Sequence, residues 1–488
     1  MSSHSPYGWR FALAIVVVSA CAAIICAFLG AKSLILVAGA AAACGFLVFA
    51  VRFPEALLAV CAFMPQWKSS YPLSGLGGGV DLTLVALAFL LLLIAKQSLM
   101  HFSRLERQSI TDLFRGQWLP LSLYAAFCAM VAISYTYTSA PEYGGTKLLR
   151  LLFIGTLLLL SGLVLIRDER SLRRFFQMFI VCSCITSLQL IFHLETRAVG
   201  AEGDITRIGA GWLIGIGVLL LLGYSYSRSK FISAMLIFAC LPLLLVGLIA
   251  SAARGPLIAL FLLLPIWLIL FDKRTTFFTR VLVSGVLIAS CAGAFVYLRA
   301  KDPGKYNSKL NEMVGMSEGR HTTGSATKRL RFYEETLQAI PDNLWLGQGV
   351  GSWSVVFTGK DTRDYPHNLF LETTFEEGLT GELLLLLFLF VVILAAYRAA
   401  RASGFRYGVL TIIMMYCTTV TMFSGDLDDD RVIWLWAGVA IAVLRNMQTY
   451  YVLRRRVLAR RSLRVRTAAP APASPSVLKP ATSYGEQA

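Results

Sequence analysis

The stretch LTGELLLLLFLFVVILAAY, residues 379–397, decides the architecture. It is about as long as a helix needs to cross a ~30 Å hydrocarbon layer, and Arg398 and Arg401 follow it directly. Apolar runs of the same kind recur from Phe11 to Val443, at residues 11–30, 33–51, 54–66, 80–95, 118–138, 147–166, 175–193, 209–226, 231–250, 256–271, 281–298, 407–424 and 432–445. The expected fold class is therefore all-α, a polytopic transmembrane helical bundle of about 12–14 spans. Composition agrees: 57% of the 488 residues are hydrophobic and 15% charged, whereas soluble globular chains carry charge on roughly 25% of positions. A soluble protein is excluded.

The formal net charge of +17 is in such a chain first a statement about topology. Alternating the loops puts Arg10, Arg52, Lys96, Arg104, Arg107, Arg115, Arg167, Arg170, Arg173, Arg174, Arg228, Lys230, Lys273, Arg274, Arg280, Arg398, Arg401 and Arg406 on one side. That side is expected to be cytoplasmic and to hold both termini. The organisation expected is an N-terminal transmembrane bundle at 1–298, an outer loop at 299–378, C-terminal transmembrane helices at 379–451, and a basic, disordered cytoplasmic tail at 452–488. The tail's Arg454–Arg456 and Arg460–Arg466 run suits membrane lipids with anionic headgroups, and no nucleic acid partner need be invoked. The N-terminal run lacks a small-residue cleavage pattern and reads as a retained first helix. All 10 cysteines fall inside apolar segments and read as small packing residues.

The loop 299–378 is too long for a plain connector. Within it, Leu330, Tyr333, Leu337 and Ile340 recur at helical spacing, which predicts a short amphipathic helix lying over the bundle, ended by Pro341. Leu344-Trp345-Leu346 then precedes Gly347, Gly349 and Gly351, a tight turn near the membrane interface. Basic residues should be scarce on the outer side, so each one there is a candidate ligand for an anion. Arg254, between two long apolar runs, is the first; the bland alternative is a side chain snorkelling to headgroups. Arg329 and Arg331, at the start of the loop helix, come next, their alternative being a solvated helix face. His367 in Pro366-His367-Asn368 is the candidate general base, because a neutral imidazole can take a proton from a hydroxyl; the alternative is a structural histidine. His321 reads as solvated. No His or Cys pair stands at ligand spacing and Asp426, Asp428, Asp429 and Asp430 form an exposed acidic turn, so no metal and no cofactor are expected. Guanidinium forks suit phosphate oxygens. The constellation thus fits an anionic lipid headgroup, with glycosyl transfer from a lipid diphosphate as the chemistry.

Three elements in order then carry a resemblance. Ser251-Ala-Ala-Arg254 precedes a span. Arg329 and Tyr333 lead to Leu344-Trp-Leu-Gly347-Gln-Gly349. His367, Asn368, Leu371 and Glu372 lead to Glu376, Gly378 and Gly381. In this the chain resembles the O-antigen ligase and O-antigen polymerase superfamily. Leu344 stands where that family commonly has Pro, and Tyr333 where Trp is frequent. The resemblance implies a metal-independent, inverting glycosyltransferase on the periplasmic face of a bacterial inner membrane. It implies that Arg254 and Arg329 bind the diphosphate of an undecaprenyl-diphosphate-linked glycan donor and that His367 activates the acceptor; Arg331 is the third diphosphate-binding candidate from its place on the outer side. That acceptor is a growing glycan for a polymerase or exopolysaccharide system and lipid A core for a ligase, with other polysaccharide assembly proteins as further partners. A lipid-linked glycan flippase or anion transporter is the alternative of another class. It would need cations along a path through the membrane rather than gathered at one face.

Overall fold

The structure, a computed structural model, describes residues 49–70, 82–104, 117–192, 201–224, 230–270, 325–427 and 430–448, with the isolated positions 45, 285, 289, 293, 296 and 300. The expected span at 11–30, nearly all of those at 33–51 and 281–298, His321 and the basic tail lie outside the described residues. Among the described residues every regular element is a helix. Four helices are long and apolar enough to cross a membrane: Trp118–Tyr137, Pro141–Leu165, Glu169–Ile191 and Gly378–Ala402. Shorter apolar helices run at Thr83–Leu99, Arg207–Gly223, Met235–Ala250, Arg254–Trp267 and Gly408–Ser424, and residues 431–448 form another helix.

Two helix starts differ from the sequence expectation, each for a local reason. Arg170, Arg173 and Arg174, expected in a loop, lie in the first turns of Glu169–Ile191. Asp168 accepts from the Ser171 amide at 2.7 Å while the Ser171 hydroxyl accepts from the Asp168 amide at 3.1 Å, so the helix begins six residues before the apolar run. The span expected at 147–166 begins instead at Pro141. There the carboxylate of Asp361 accepts from the amides of Glu142 and Tyr143 at 2.8 and 3.0 Å, capping the helix from more than two hundred residues away.

Close approach and aromatic packing hold the bundle together. A Cβ added at Gly438 would lie 2.0 Å from the Leu159 carbonyl oxygen, so this contact between residues 431–448 and the Pro141–Leu165 helix requires a residue without a side chain. Trp436 packs among Phe175, Phe176 and Phe179 at ring distances of 5.3 to 6.0 Å, and Trp434 stands edge-on to Tyr124.

The loop helix forms at Ser325–Ala339 and passes into a 3-10 turn at Ile340–Asn343. Its inward face is not the one the leucine spacing pointed to. Leu330 and Leu337 are exposed, whereas Phe332 and Thr336 are buried. Trp353 is the reason. Its ring packs at 4.8 Å against Phe332, its indole N–H donates to the Thr336 hydroxyl at 2.8 Å, and Phe375 completes the cluster. Burying one large aromatic residue outweighs two leucines left at the surface.

Candidate active site

His367 is built into the turn that precedes the helix Leu369–Glu376. Its φ of +62° is left-handed, a conformation that costs a non-glycine residue roughly 1–2 kcal/mol and that concentrates at functional sites. Asn368, next in the chain, is the helix N-cap, its side-chain oxygen accepting from the amides of Phe370 and Leu371 at 3.0 and 3.3 Å. The His-Asn pair thus has a mechanical meaning: the asparagine fixes where the helix starts, and the strained histidine is displayed at its entrance. Tyr333 braces it from the loop helix, its hydroxyl donating toward the carbonyls of His367 and Met422 at 3.3 and 3.2 Å. Tyr365 stacks edge-on against the imidazole at 4.5 Å.

Burial, followed by the fields of Arg329, Lys328 and Arg363, lowers the His367 pKa to about 3. The ring is therefore neutral at physiological pH, with a nitrogen lone pair available. A diphosphate bound among those cations would cancel their field and make the imidazole a stronger base in the complex than in the free protein.

Arg329 donates through Nη1 to the Phe423 carbonyl at 2.6 Å and the Ser424 hydroxyl at 3.1 Å, at the C-terminal end of the helix Gly408–Ser424. The planar guanidinium fork is of the kind that suits phosphate oxygens. Arg254 begins its own helix against the same end. A Cβ on the neighbouring Gly255 would come within 2.9 Å of Phe423 Cβ. The turn before it contains a second strained residue, Ala252 with φ +55°. The geometry thus brings Arg254, Arg329 and His367 around residues 422–424. Arg331 is not brought in. Two positions along a helix point to opposite faces, and Arg331 is exposed and paired with Glu335 at 3.2 Å. Arg363, which the sequence reading passed over, stands there instead, 3.0 Å from the buried carboxylate of Asp426.

The glycine turn supplies the floor. Gly347 has φ +72°, and a Cβ on it would meet the Glu376 carbonyl oxygen at 2.4 Å. The amide of Gly349 donates to that same carbonyl at 2.8 Å. The amides of Leu379 and Thr380, in the first turn of Gly378–Ala402, donate to the carbonyls of Leu344 and Trp345 at 2.8 and 3.3 Å. The turn therefore completes hydrogen bonds that a helix cannot satisfy within itself. Gly381 packs on Glu377.

Beneath this floor, Lys147 is wholly buried with Glu372 and Glu376. Its ammonium donates to Glu372 and, at 2.6 Å, to Glu376. Burial pushes the Glu372 carboxyl up to about 8 against the pull of Lys147, so Glu372 keeps a proton at neutral pH. Glu377 is likewise pushed well above the carboxylate range by burial and its glutamate neighbours. The sequence carried a signal for Lys147, a cation within an apolar run at membrane depth. Nothing in it named the partners. No group of three metal-ligating side chains occurs among the described residues.

The helices and this polar end define a membrane protein whose unusual chemistry gathers at one face. Residues 239–386 match the family model described as O-antigen ligase. Over that segment the chain is similar to O-antigen ligases. The matched segment includes Arg254, Arg329, Arg363, His367, Glu372 and Glu376 but neither Lys147 nor Asp426. No curated protein matches the chain in a sequence comparison.

Proposed function

We propose that the protein transfers or polymerises a glycan carried on undecaprenyl diphosphate at the periplasmic face of a bacterial inner membrane. Both termini are cytoplasmic in this reading, and residues 299–378 form the periplasmic catalytic loop between the two sets of spans. The observation that carries it is a neutral imidazole held in a strained turn among Arg329, Lys328 and Arg363, within a segment that matches O-antigen ligases. Arg254 and Arg329 bind the diphosphate, with Arg363 as the third cation in place of Arg331. A nitrogen of His367 takes the proton of the acceptor hydroxyl as that oxygen bonds to the anomeric carbon. The bond from carbon to diphosphate oxygen breaks on the opposite side, its electron pair leaving with the diphosphate, so the configuration inverts. Arginines on the leaving group stabilise the charge that develops there, and the step calls for no metal.

The experiment is complementation of a deletion strain with wild type or His367→Ala, followed by polysaccharide profiling. Loss of polymer, leaving single repeat units on an intact acceptor, identifies a polymerase. Full-length glycan stranded on its lipid carrier identifies a ligase with a lipid A core acceptor. A wild-type profile from His367→Ala contradicts the proposal.

A further inference from the structure

Lys147 lies outside the segment that matches O-antigen ligases, its partners Glu372 and Glu376 lie inside it, and the transfer chemistry leaves all three unused. Its ammonium holds Glu372 and Glu376, which stand four residues apart on one face of the helix that starts directly after His367. The other oxygen of Glu372 accepts from the Leu427 amide at 3.1 Å, only three residues beyond the Ser424 that anchors Arg329. The helix carrying Lys147 also has its first amides capped by Asp361, six residues before His367. One helix therefore grips the loop 361–368 from both sides, and through Glu372 it reaches the segment that seats Arg329.

We propose that Lys147 is a positioning residue for glycosyl transfer: by tying Glu372 and Glu376 it fixes His367 relative to Arg329 and Arg363. The inference rests on the reading of His367 as the group that activates the acceptor. The competing role is charge balance alone, in which any neutral replacement of the cluster would serve.

The triple variant Lys147→Met/Glu372→Gln/Glu376→Gln separates the two. It removes the buried charges, keeps the side-chain lengths, and leaves an amide oxygen for Leu427, but it cuts the tie. Purified full-length protein in detergent is compared with wild type by thermal unfolding. The carbethoxylation rate of His367 with diethyl pyrocarbonate, mapped by peptide mass spectrometry, is followed from pH 4 to 7, and turnover is measured with an undecaprenyl-diphosphate-linked glycan. The groups that set the His367 profile are Arg329, Lys328 and Arg363, with the Tyr365 ring against it. The expected result is a folded variant whose His367 reacts like an ordinary imidazole, at least about tenfold more slowly than wild type at pH 5. Its kcat falls about 10²-fold, as a misplacement near 1 Å would cause, with KM for the donor little changed.

A folded variant with wild-type reactivity and turnover overturns the proposal. If the triple variant does not fold, Lys147→Met/Glu376→Gln, which leaves the protonated Glu372, takes its place; failure of both makes Lys147 a fold residue and also overturns it. Should wild type transfer no glycan while the His367 profile still shifts, the functional reading fails and the positioning of His367 stands.

Discussion

Two charge clusters of the helical bundle, one at each end, differ in how deeply they are buried. At one end Arg406 and Arg173 meet Glu169, with side chains 37–39% exposed in each pair, and Arg445 donates to the Ile166 carbonyl at 3.3 Å. At the other, Lys147, Glu372 and Glu376 are at most 1% exposed, and burial and nearby cations lower the His367 pKa. Half-exposed pairs gain little, because water and salt screen them and long side chains lose freedom on pairing. Buried ones cost desolvation unless every partner is present. The first cluster therefore adds little to stability. The second accepts cost in exchange for fixed geometry, which is what a site needs.

Lys147→Met should break the second end most severely. It strands two carboxyls without a cation, and the expected loss of stability is about 3–5 kcal/mol by thermal or denaturant unfolding. Arg406→Met at the first end should change stability by roughly 0–1 kcal/mol; equal effects at the two ends would dissolve the contrast.

His367 gives a pH test of the same contrast. Its folded pKa of about 3 lies below the unfolded value near 6.5, so the unfolded chain binds the extra proton in that window. Stability attributable to this residue is complete above pH 6.5 and is lost as pH falls toward 3. A His367→Asn variant should remove that slope, on the order of a few kcal/mol across the window. Should both proteins show the same acid dependence, the imidazole is not held as described.

A smaller loss is expected for Gly347→Ala, at least ~1–2 kcal/mol from the left-handed backbone, with the close Glu376 carbonyl adding to it. The smallest effect separates two arginines. Arg363→Ala should lower donor affinity, whereas Arg331→Ala, on the exposed face, should leave donor KM within about twofold and stability within ~0.5 kcal/mol. A reversed order would restore Arg331 to the site.

The membrane architecture was legible because lipid imposes length and apolarity on each span. His367, Arg254 and Arg329 stood out by being polar where the chain is otherwise poor in such residues. What stayed hidden depends on contacts distant in sequence. Asp361 starts the Pro141 helix, Trp353 turns Phe332 rather than Leu330 inward, and Lys147 finds two glutamates more than two hundred residues away. The choice between Arg331 and Arg363 was likewise tertiary. Helical periodicity separates the faces of Arg329 and Arg331, but only the fold brings Arg363 to the imidazole.

A strained, neutral His367 that serves chemistry rather than the fold can be replaced without loss of stability. The most direct measurement takes His367→Asn, whose side chain tolerates the left-handed backbone, and records unfolding and glycan transfer on the same purified preparation supplied with lipid-diphosphate donor. The expected result is stability at neutral pH within about 1 kcal/mol of wild type, together with a fall in transfer of about 10²–10⁴-fold. Transfer retained within a fewfold of wild type, or activity lost only in step with unfolding, would contradict it.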